Sequence, residues 1–303
     1  MIDFQSVQLE NKASYEAILK KHPDKSCEYS FANLYLWGRQ RYAVLDGNVV
    51  YFSQFSRKSV YLFPLCEDNL TQTIEELIQD ARQRGIACRL TGMTEADARR
   101  LEEAFPGRFR YHIDRDAFEY VYAIEELCSL AGRKYQRKRN HLNRFLALHP
   151  NATAEPITPE NTPEVRQMVA DWYRLRLEQD PTQDFHMEKA AIKKALDHWQ
   201  ELEMEGLVLR IDGKIAAMTM GSRLSETMFD VHFEKALEQY DGAYPAINRE
   251  FARYLHNKYP KLTHLNREDD MGLEGLRKAK MSYNPTTLWA KYWACLLEDG
   301  YDY

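Results

Sequence analysis

In the run Phe229-Asp230-Val231-His232-Phe233-Glu234, polar and apolar side chains alternate, the period of a strand that sets Asp230, His232 and Glu234 on one face. Carboxylates beside an imidazole hold one pKa near neutrality, and a group so tuned takes a proton from an attacking amine or hydroxyl. Asp230 or Glu234 is the expected base. Further on, Asn266-Arg267-Glu268-Asp269-Asp270-Met271-Gly272 closes an apolar strand, and a Gly-punctuated helix then carries Arg277, Lys278 and Lys280 toward the stop at Pro285. Arg277 and Lys280 sit three residues apart on that helix and so stand side by side. Cations so placed stabilise negative charge developing on a departing oxygen, or bind a phosphate. Tyr283 either supplies a proton to the leaving group or packs. Glu268, Asp269 and Asp270 read either as the charged amino terminus of the helix or as the group that holds an amine substrate. These residue types at these spacings are the equipment of acyl transfer to an amine or hydroxyl acceptor.

Other reaction classes lack their residues. The nine histidines are dispersed and no His-Glu-x-x-His helix occurs, so no metal is expected; no Gly-x-Ser-x-Gly elbow supports a serine hydrolase. Without a Ser or Cys in a nucleophile setting, direct transfer in a ternary complex is the expected course. A net charge of −5 argues against a surface basic all over, and 44% apolar with 29% charged residues fits a globular enzyme. The five cysteines, odd in number and widely spaced, read as reduced packing residues. No apolar run is long enough to span a bilayer and the start, Met1-Ile2-Asp3, lacks the order of a secretory signal, so a cytoplasmic chain is expected.

These residues need a scaffold, and 303 residues leave room for two domains. Each half carries apolar residues flanking an Asp-Gly hairpin turn, Asp46-Gly47 and Asp212-Gly213. After the first turn come a strand (Val60 to Phe63), a helix with Leu70, Ile74, Leu77, Ile78 and Ala81 on one face, a strand at Cys88 to Leu90, a helix opened by Thr94, and a long strand from Phe109 to Tyr122. After the second come a strand (Met228 to Phe233), a helix with Ala243, Ile247, Phe251, Tyr254 and Leu255 in register, a short strand near Leu262 to Leu265, the Gly272 to Lys280 helix and a closing strand from Thr286. Helical sequence precedes each hairpin. The same order twice predicts an N-terminal domain over 1–128, a linker over 129–150 and a C-terminal domain over 151–303 that holds the active cleft.

The linker has no acidic residue from Ser129 to Ala154, while Arg133, Lys134, Arg137, Lys138, Arg139 and Arg144 crowd together. Tyr135, Leu142, Phe145 and Leu146 recur at helical spacing, which predicts an amphipathic helix with one apolar face and one basic face suited to phosphate.

Two helices, a hairpin, then strand-helix-strand-helix-strand resembles the GNAT (acyl-CoA N-acyltransferase) fold, which implies an α/β (α+β) chain of two tandem GNAT-like domains. Each would be a mixed, mostly antiparallel sheet flanked by helices. In that fold two parallel strands splay apart and the next helix points its amino terminus at a donor phosphate. Here Gln239-Tyr240-Asp241-Gly242-Ala243-Tyr244 resembles the pyrophosphate loop in part, which makes Gln239, Gly242 and Ala243 donor-binding candidates for coenzyme A or acyl-CoA.

Gly275-Leu276-Arg277, Lys280, Tyr283 and Pro285 resemble a pattern in the catalytic part of phosphatidylglycerol lysyltransferases, and Lys280 to Tyr283 is similar to the Lys-x-x-aromatic element of Fem-type peptidyltransferases. Gly132, Lys134, Arg139, Asn143 and Arg144, then Phe229-Asp230 and Asn266, agree with the same lysyltransferase pattern. The resemblance favours Asp230 as the base. It implies aminoacyl-tRNA as the alternative donor, with Lys134, Arg139, Asn143, Arg144, Asn266 and Arg277 binding it. Lys280 would act on the departing ribose oxygen, and Glu268, Asp269 and Asp270, which lie outside that pattern, would face a small-molecule, peptide or lipid acceptor. The rival expectation is a non-catalytic RNA- or nucleotide-binding module on a degenerate GNAT-like fold.

Overall fold

The computed structural model describes residues 1–22, 25–55 and 58–299. Along the chain run β1 (Gln5–Ser6), α1 (Lys12–Leu19), α2 (Phe31–Trp37), β2 (Gln40–Leu45), β3 (Asn48–Phe55), β4 (Lys58–Leu65), α3 (Leu70–Arg84), β5 (Arg89–Met93), α4 (Glu95–Ala104) and β6 (Phe109–Ile113). There follow β7 (Glu119–Ala123), α5 (Ile124–Ser129), α6 (Gln136–Leu148), β8 (Thr153–Pro156), α7 (Thr162–Gln179), α8 (His186–Asp197), β9 (Glu205–Ile211), β10 (Lys214–Arg223) and β11 (Met228–Ala236). The chain ends with α9 (Ala243–Lys258), β12 (His264–Asn266), α10 (Glu274–Met281), β13 (Thr287–Trp289) and β14 (Tyr292–Leu296). Both Asp-Gly turns form as expected, with positive φ at Asp46 and Gly47 and again at Asp212 and Gly213, the geometry that matches the twist of a two-residue hairpin.

The described chain forms two compact units. The first takes Met1–Glu119, Asp269–Leu273 and the segment from Trp289 onward, around a sheet of order β1-β2-β3-β4-β5-β14-β6. Ile74, Leu77, Ile78 and Ala81 of α3 pack on Val50, Tyr61, Phe63 and Leu90, as the helical spacing predicts. β4 and β5 run parallel, paired at Tyr61 with Leu90 and Leu62 with Thr91. Just beyond that pairing the Tyr29 hydroxyl donates to the Phe63 carbonyl at 2.9 Å, so a buried ring of this unit fills the point where its parallel strands part.

The second unit takes Tyr120–Glu268 and Glu274–Leu288, with sheet order β13-β7-β12-β11-β10-β9-β8. Here β11 and β12 are the parallel pair, joined only from Met228 with His264 to Asp230 with Asn266, while β11 continues to Ala236. The strands therefore diverge after Asp230. α9 packs under the sheet through Ile247, Phe251 and Leu255, and Phe229 meets Phe251 edge-on at 5.6 Å between centroids.

Two expectations need correction. The stretch from Phe109 to Tyr122 is not one strand: β6 serves the first sheet and β7 inserts between β12 and β13 of the second. Likewise the closing stretch from Thr286 splits into β13 and β14, and β14 inserts between β5 and β6. The units thus differ from the expected spans 1–128 and 151–303, because backbone pairing assigns each segment to the ladder that satisfies its N–H and C=O groups, whatever its place in sequence.

A close approach fixes the shape of β11. Gly221 pairs with Val231 and Met220 with Phe233, which leaves His232 as an extra residue in a β-bulge. A Cβ on Gly221 would lie 1.9 Å from the Asp230 carbonyl oxygen. Gly221→Ala should therefore cost about 3 kcal/mol of stability, read as a lower denaturation midpoint; an unchanged midpoint would show that the bulge is not held there.

Candidate active site

The bulge decides which side chains meet. Asp230 and His232 share one face, with His232 Nδ1 3.6 Å from Asp230 Oδ2 and 3.0 Å from Glu268 Oε1, while Ser222 Oγ lies 2.8 Å from Nε2. The extra residue then reverses the alternation. Glu234 emerges beside Phe229, Val231 and Ala236 on the α9 face, where its Oε2 accepts from Asn248 Nδ2 at 3.3 Å. The expectation that Asp230, His232 and Glu234 share a face is corrected on this ground.

On the α9 face a buried polar cluster forms where β11 and β12 part. Arg267, the residue after β12, reaches across to Glu234 with Nη2 2.8 Å from Oε1. Its guanidinium carbon stands 5.0 Å from the centroid of the Tyr283 ring, and Lys138 of α6 places Nζ 3.8 Å from the same centroid. Burial, with the Arg267 charge, pushes the Lys138 ammonium down to about 8, and Glu234 opposes the shift only in part. Burial, the largest single influence, draws Arg267 the same way, but the Glu234 carboxylate and the neighbouring tyrosines together outweigh it and keep the guanidinium charged. The Tyr283 hydroxyl is raised by burial and stays protonated. Three polar atoms of this cluster, Tyr283 Oη, Arg267 Nη1 and Asn248 Oδ1, are buried without a hydrogen-bond partner among the described residues. Each such atom costs about 1–3 kcal/mol in a static fold. Three of them around one ion pair make this cluster the candidate ligand site.

The other sequence candidates fall elsewhere. Lys280, expected to act on a departing oxygen, is 8% exposed; its ammonium donates to the Arg267 carbonyl and Tyr122 Oη donates to the Lys280 carbonyl at 2.9 Å. It positions Arg267. Arg277 is half-buried on α10. Asn266 is buried and its Oδ1 accepts from the Glu268 amide at 2.8 Å, which turns the chain out of β12. The acidic triplet does not act as one cluster: Glu268 belongs to the second unit and engages His232, whereas Asp269 and Asp270 belong to the first, where Asp270 is fully buried against Arg115 at 3.2 Å. Ser222, His232 and Glu268 have the hydrogen-bond order of a nucleophile relay, but Ser222 and His232 are both buried, and the array pins the bulge.

The basic helix is also redistributed. Lys134 pairs with Glu126 at 2.7 Å, Arg144 with Asp241 at 3.0 Å, and Arg139 donates to the Leu130 and Gly132 carbonyls. Balancing carboxylates thus come from just before the linker and from the α9 approach. Asn143, Arg133 and Arg137 are exposed, and Leu146, expected on the apolar face, is exposed too. Lys138 is the member of the helix that turns inward, a placement that helical spacing beside Tyr135 and Leu142 could have signalled.

α6 also changes the expected phosphate site. Gly242 caps α9 at φ 87°, and a Cβ there would meet the His141 carbonyl oxygen at 2.6 Å and Phe145 Cβ at 2.8 Å. Gln239 is exposed on the approach. In the first turn of α9 the Ala243 amide donates to Tyr240, position 245 is proline, and the Ala246 amide donates to Gly242. Three of the first four positions therefore offer no amide to a pyrophosphate, and α6 lies where one would approach.

A mixed sheet with one parallel pair that diverges beside a helix amino terminus, present in both units, defines two tandem GNAT-like domains, the scaffold of acyl transfer. Residues 19–295 match the family model described as phosphatidylglycerol lysyltransferase, C-terminal, and the chain belongs to that family. A crystallised conserved protein of unknown function from Bacteroides thetaiotaomicron is 35% identical, with a TM-score of 0.91 over 98% of this chain and all of that one. L-PGS from Bacillus licheniformis is 18% identical with a TM-score of 0.70 over 98% of this chain and 94% of its own, and FemX is 12% identical with a TM-score of 0.62 over 99% and 98%. An uncharacterised protein of Mycoplasmoides gallisepticum is 23% identical over 181 residues, 59% of this chain; the match spans only 56% of that relative's length. Among the described residues no helix is long and apolar enough to cross a membrane.

Two stability measurements test this geometry. Lys280→Ala should lower stability by about 2 kcal/mol, since it strips a buried donor from the Arg267 carbonyl; an unchanged melting temperature would place Lys280 outside the core. For Lys138 the folded pKa of about 8 lies below the ordinary lysine value. The buried ammonium is therefore a cost present below pH 8 and relieved as pH rises from there toward about 10.4. Lys138→Met should stabilise the fold at pH 7 by about 1 kcal/mol, allowing for partial exposure, with the gap closing at higher pH; a variant less stable than wild type at pH 7 would refute the shift.

Proposed function

We propose that the chain is an aminoacyltransferase, moving the aminoacyl group of an aminoacyl-tRNA to an amine or hydroxyl acceptor in the cleft of the second unit. The observation that carries this reading is the convergence of Lys138, Arg267 and Tyr283 on the Glu234 carboxylate at the divergence of β11 and β12. A small molecule, a peptide and a lipid headgroup all present such a nucleophile. Membership of the lysyltransferase family supports acyl transfer, and the covered amino terminus of α9 favours an RNA ester over acyl-CoA as the donor. The exposed Arg133 and Arg137, one helical turn apart, suit the phosphates of such a donor.

The chemistry needs a base, an oxyanion donor and an acid. Lys138, mostly charged at pH 7 but with its pKa lowered to about 8, takes the proton in its neutral fraction as the acceptor nitrogen or oxygen attacks the ester carbonyl. Arg267 Nη1 donates to the oxyanion of the tetrahedral intermediate. As the intermediate collapses, the Tyr283 hydroxyl protonates the leaving ribose oxygen, and the Lys138 ammonium restores Tyr283. No net proton is consumed. Glu234 and Asn248 Oδ1 accept from the α-ammonium of the transferred group, and Lys280 holds the Arg267 backbone in place. Asp230 and His232 shape the strand from its other face.

Tyr283→Phe separates chemistry from structure, because its hydroxyl has no partner to lose. With radiolabelled aminoacyl-tRNA and a panel of amine, hydroxyl and lipid acceptors, acceptor-dependent transfer should fall at least tenfold while stability shifts by less than about 0.5 kcal/mol. Binding of tRNA without transfer to any acceptor by the wild-type chain would instead favour a non-catalytic RNA-binding module, and consumption of acyl-CoA would overturn the choice of donor.

A further inference from the structure

The second-unit cluster holds two cations against one carboxylate. Arg267 and Lys138 are the cations, and Glu234, already bonded to Arg267 and Asn248, is the carboxylate. The charges that act on Lys138 are those of Arg267 and Glu234, those that act on Arg267 come from Glu234 and neighbouring tyrosines, and Tyr283 feels the same pair. Among the described residues no second carboxylate is ion-paired or hydrogen-bonded to Lys138, Arg267 or Tyr283. The remaining wall is aromatic or amide: Tyr122, Tyr283, Tyr244 and Asn248. Such a site has one anion to offer, and the α-ammonium common to every aminoacyl ester has first claim on it.

We infer that the group transferred by this chain carries a neutral or acidic side chain, and that a lysyl group is excluded from the cleft. This rests on the aminoacyltransferase reading and narrows it. A lysyl side chain would bring a permanent second cation among Arg267 and Lys138, where desolvation strengthens like-charge repulsion and no acceptor remains to compensate it. A neutral side chain meets the tyrosine rings, and an acidic one supplies the counter-charge that the two cations lack. The same-family description as a lysyltransferase therefore does not extend to the group moved here. Charge in the pocket discriminates by rejecting the wrong partner as much as by attracting the right one.

The test uses the full chain and stable donor mimics, 3′-amino-3′-deoxyadenosine bearing alanyl, glutamyl or lysyl groups through an amide, with binding read by calorimetry at pH 7. The alanyl and glutamyl mimics should bind at least tenfold more tightly than the lysyl mimic. Lys138→Met should shrink that ratio several-fold, and Lys138→Glu should make the lysyl mimic the tighter ligand relative to glutamyl. A lysyl mimic that binds wild type as well as the alanyl mimic overturns the inference and leaves the transferase reading standing. A discrimination unchanged in Lys138→Met overturns the assignment to this pocket. Failure of all three mimics to bind overturns both readings.

Discussion

Glu234 and Arg267 hold each other at 2.8 Å across the place where β11 and β12 cease to pair, and both are largely buried. Removing either would leave the other as an uncompensated interior charge, which costs several kcal/mol, so the pair ties the width of the cleft to the stability of the unit. Everything else in the site is arranged about it. Lys280 grips the Arg267 backbone, Tyr283 lies against the guanidinium, Asn248 meets the second carboxylate oxygen, and Lys138 feels the charge of both members. A lysine that sheds its proton near pH 8 is a product of that environment, because neither burial nor one neighbouring guanidinium is fully balanced by a carboxylate already engaged elsewhere.

The pair exists in this form because of a single extra residue. Without the bulge at His232, strand alternation would place Glu234 beside Asp230 on the opposite face, out of reach of α9. The bulge in turn requires the bare backbone of Gly221 against the Asp230 carbonyl. Ser222, His232 and Glu268 are hydrogen-bonded in series behind the strand, with Asp230 Oδ2 3.6 Å from the His232 ring, an array that keeps the irregular backbone in one conformation. Helix α6 makes a comparable substitution: it covers the α9 amino terminus and delivers Lys138 to the cleft, so a position that serves phosphate binding in the general fold contributes a side chain here instead.

Much of the scaffold was legible in the chain. Two Asp-Gly turns, the α3 and α9 stripes and the repeated order of elements gave two GNAT-like units, because hairpin geometry and helical amphipathicity are local properties. The stretch around Phe229 to Glu234 and the Lys280 to Tyr283 step, which the sequence singles out, supply Glu234 and Tyr283 to the candidate site. Which of their side chains meet is not legible in the sequence. Period-two counting cannot register a bulge whose cause is a glycine on the partner strand, so Glu234 was placed on the wrong face. Charge runs show which cations are present but not which carboxylates will meet them: Glu126 and Asp241 neutralise Lys134 and Arg144 from outside the run, and Arg115 claims Asp270 from far along the chain. Arg267 and Lys138 do not stand out in the sequence for the same reason, since each lies among several similar charges.

The sequence by itself determined the kind of elements, their order, the turns that join them and the class of scaffold, all of which follow from dihedral preference and hydrophobic period over short spans. Only the tertiary structure decided which strand joins which ladder, sending β7 and β14 to sheets remote from their neighbours in sequence, and which charges are buried together. Backbone pairing and desolvation act between segments that approach in space, and their energies depend on distances that no residue can specify alone. The candidate site lies in those distances: a lysine from one helix, an arginine from the end of a short strand and a tyrosine after another helix come together only around a single glutamate.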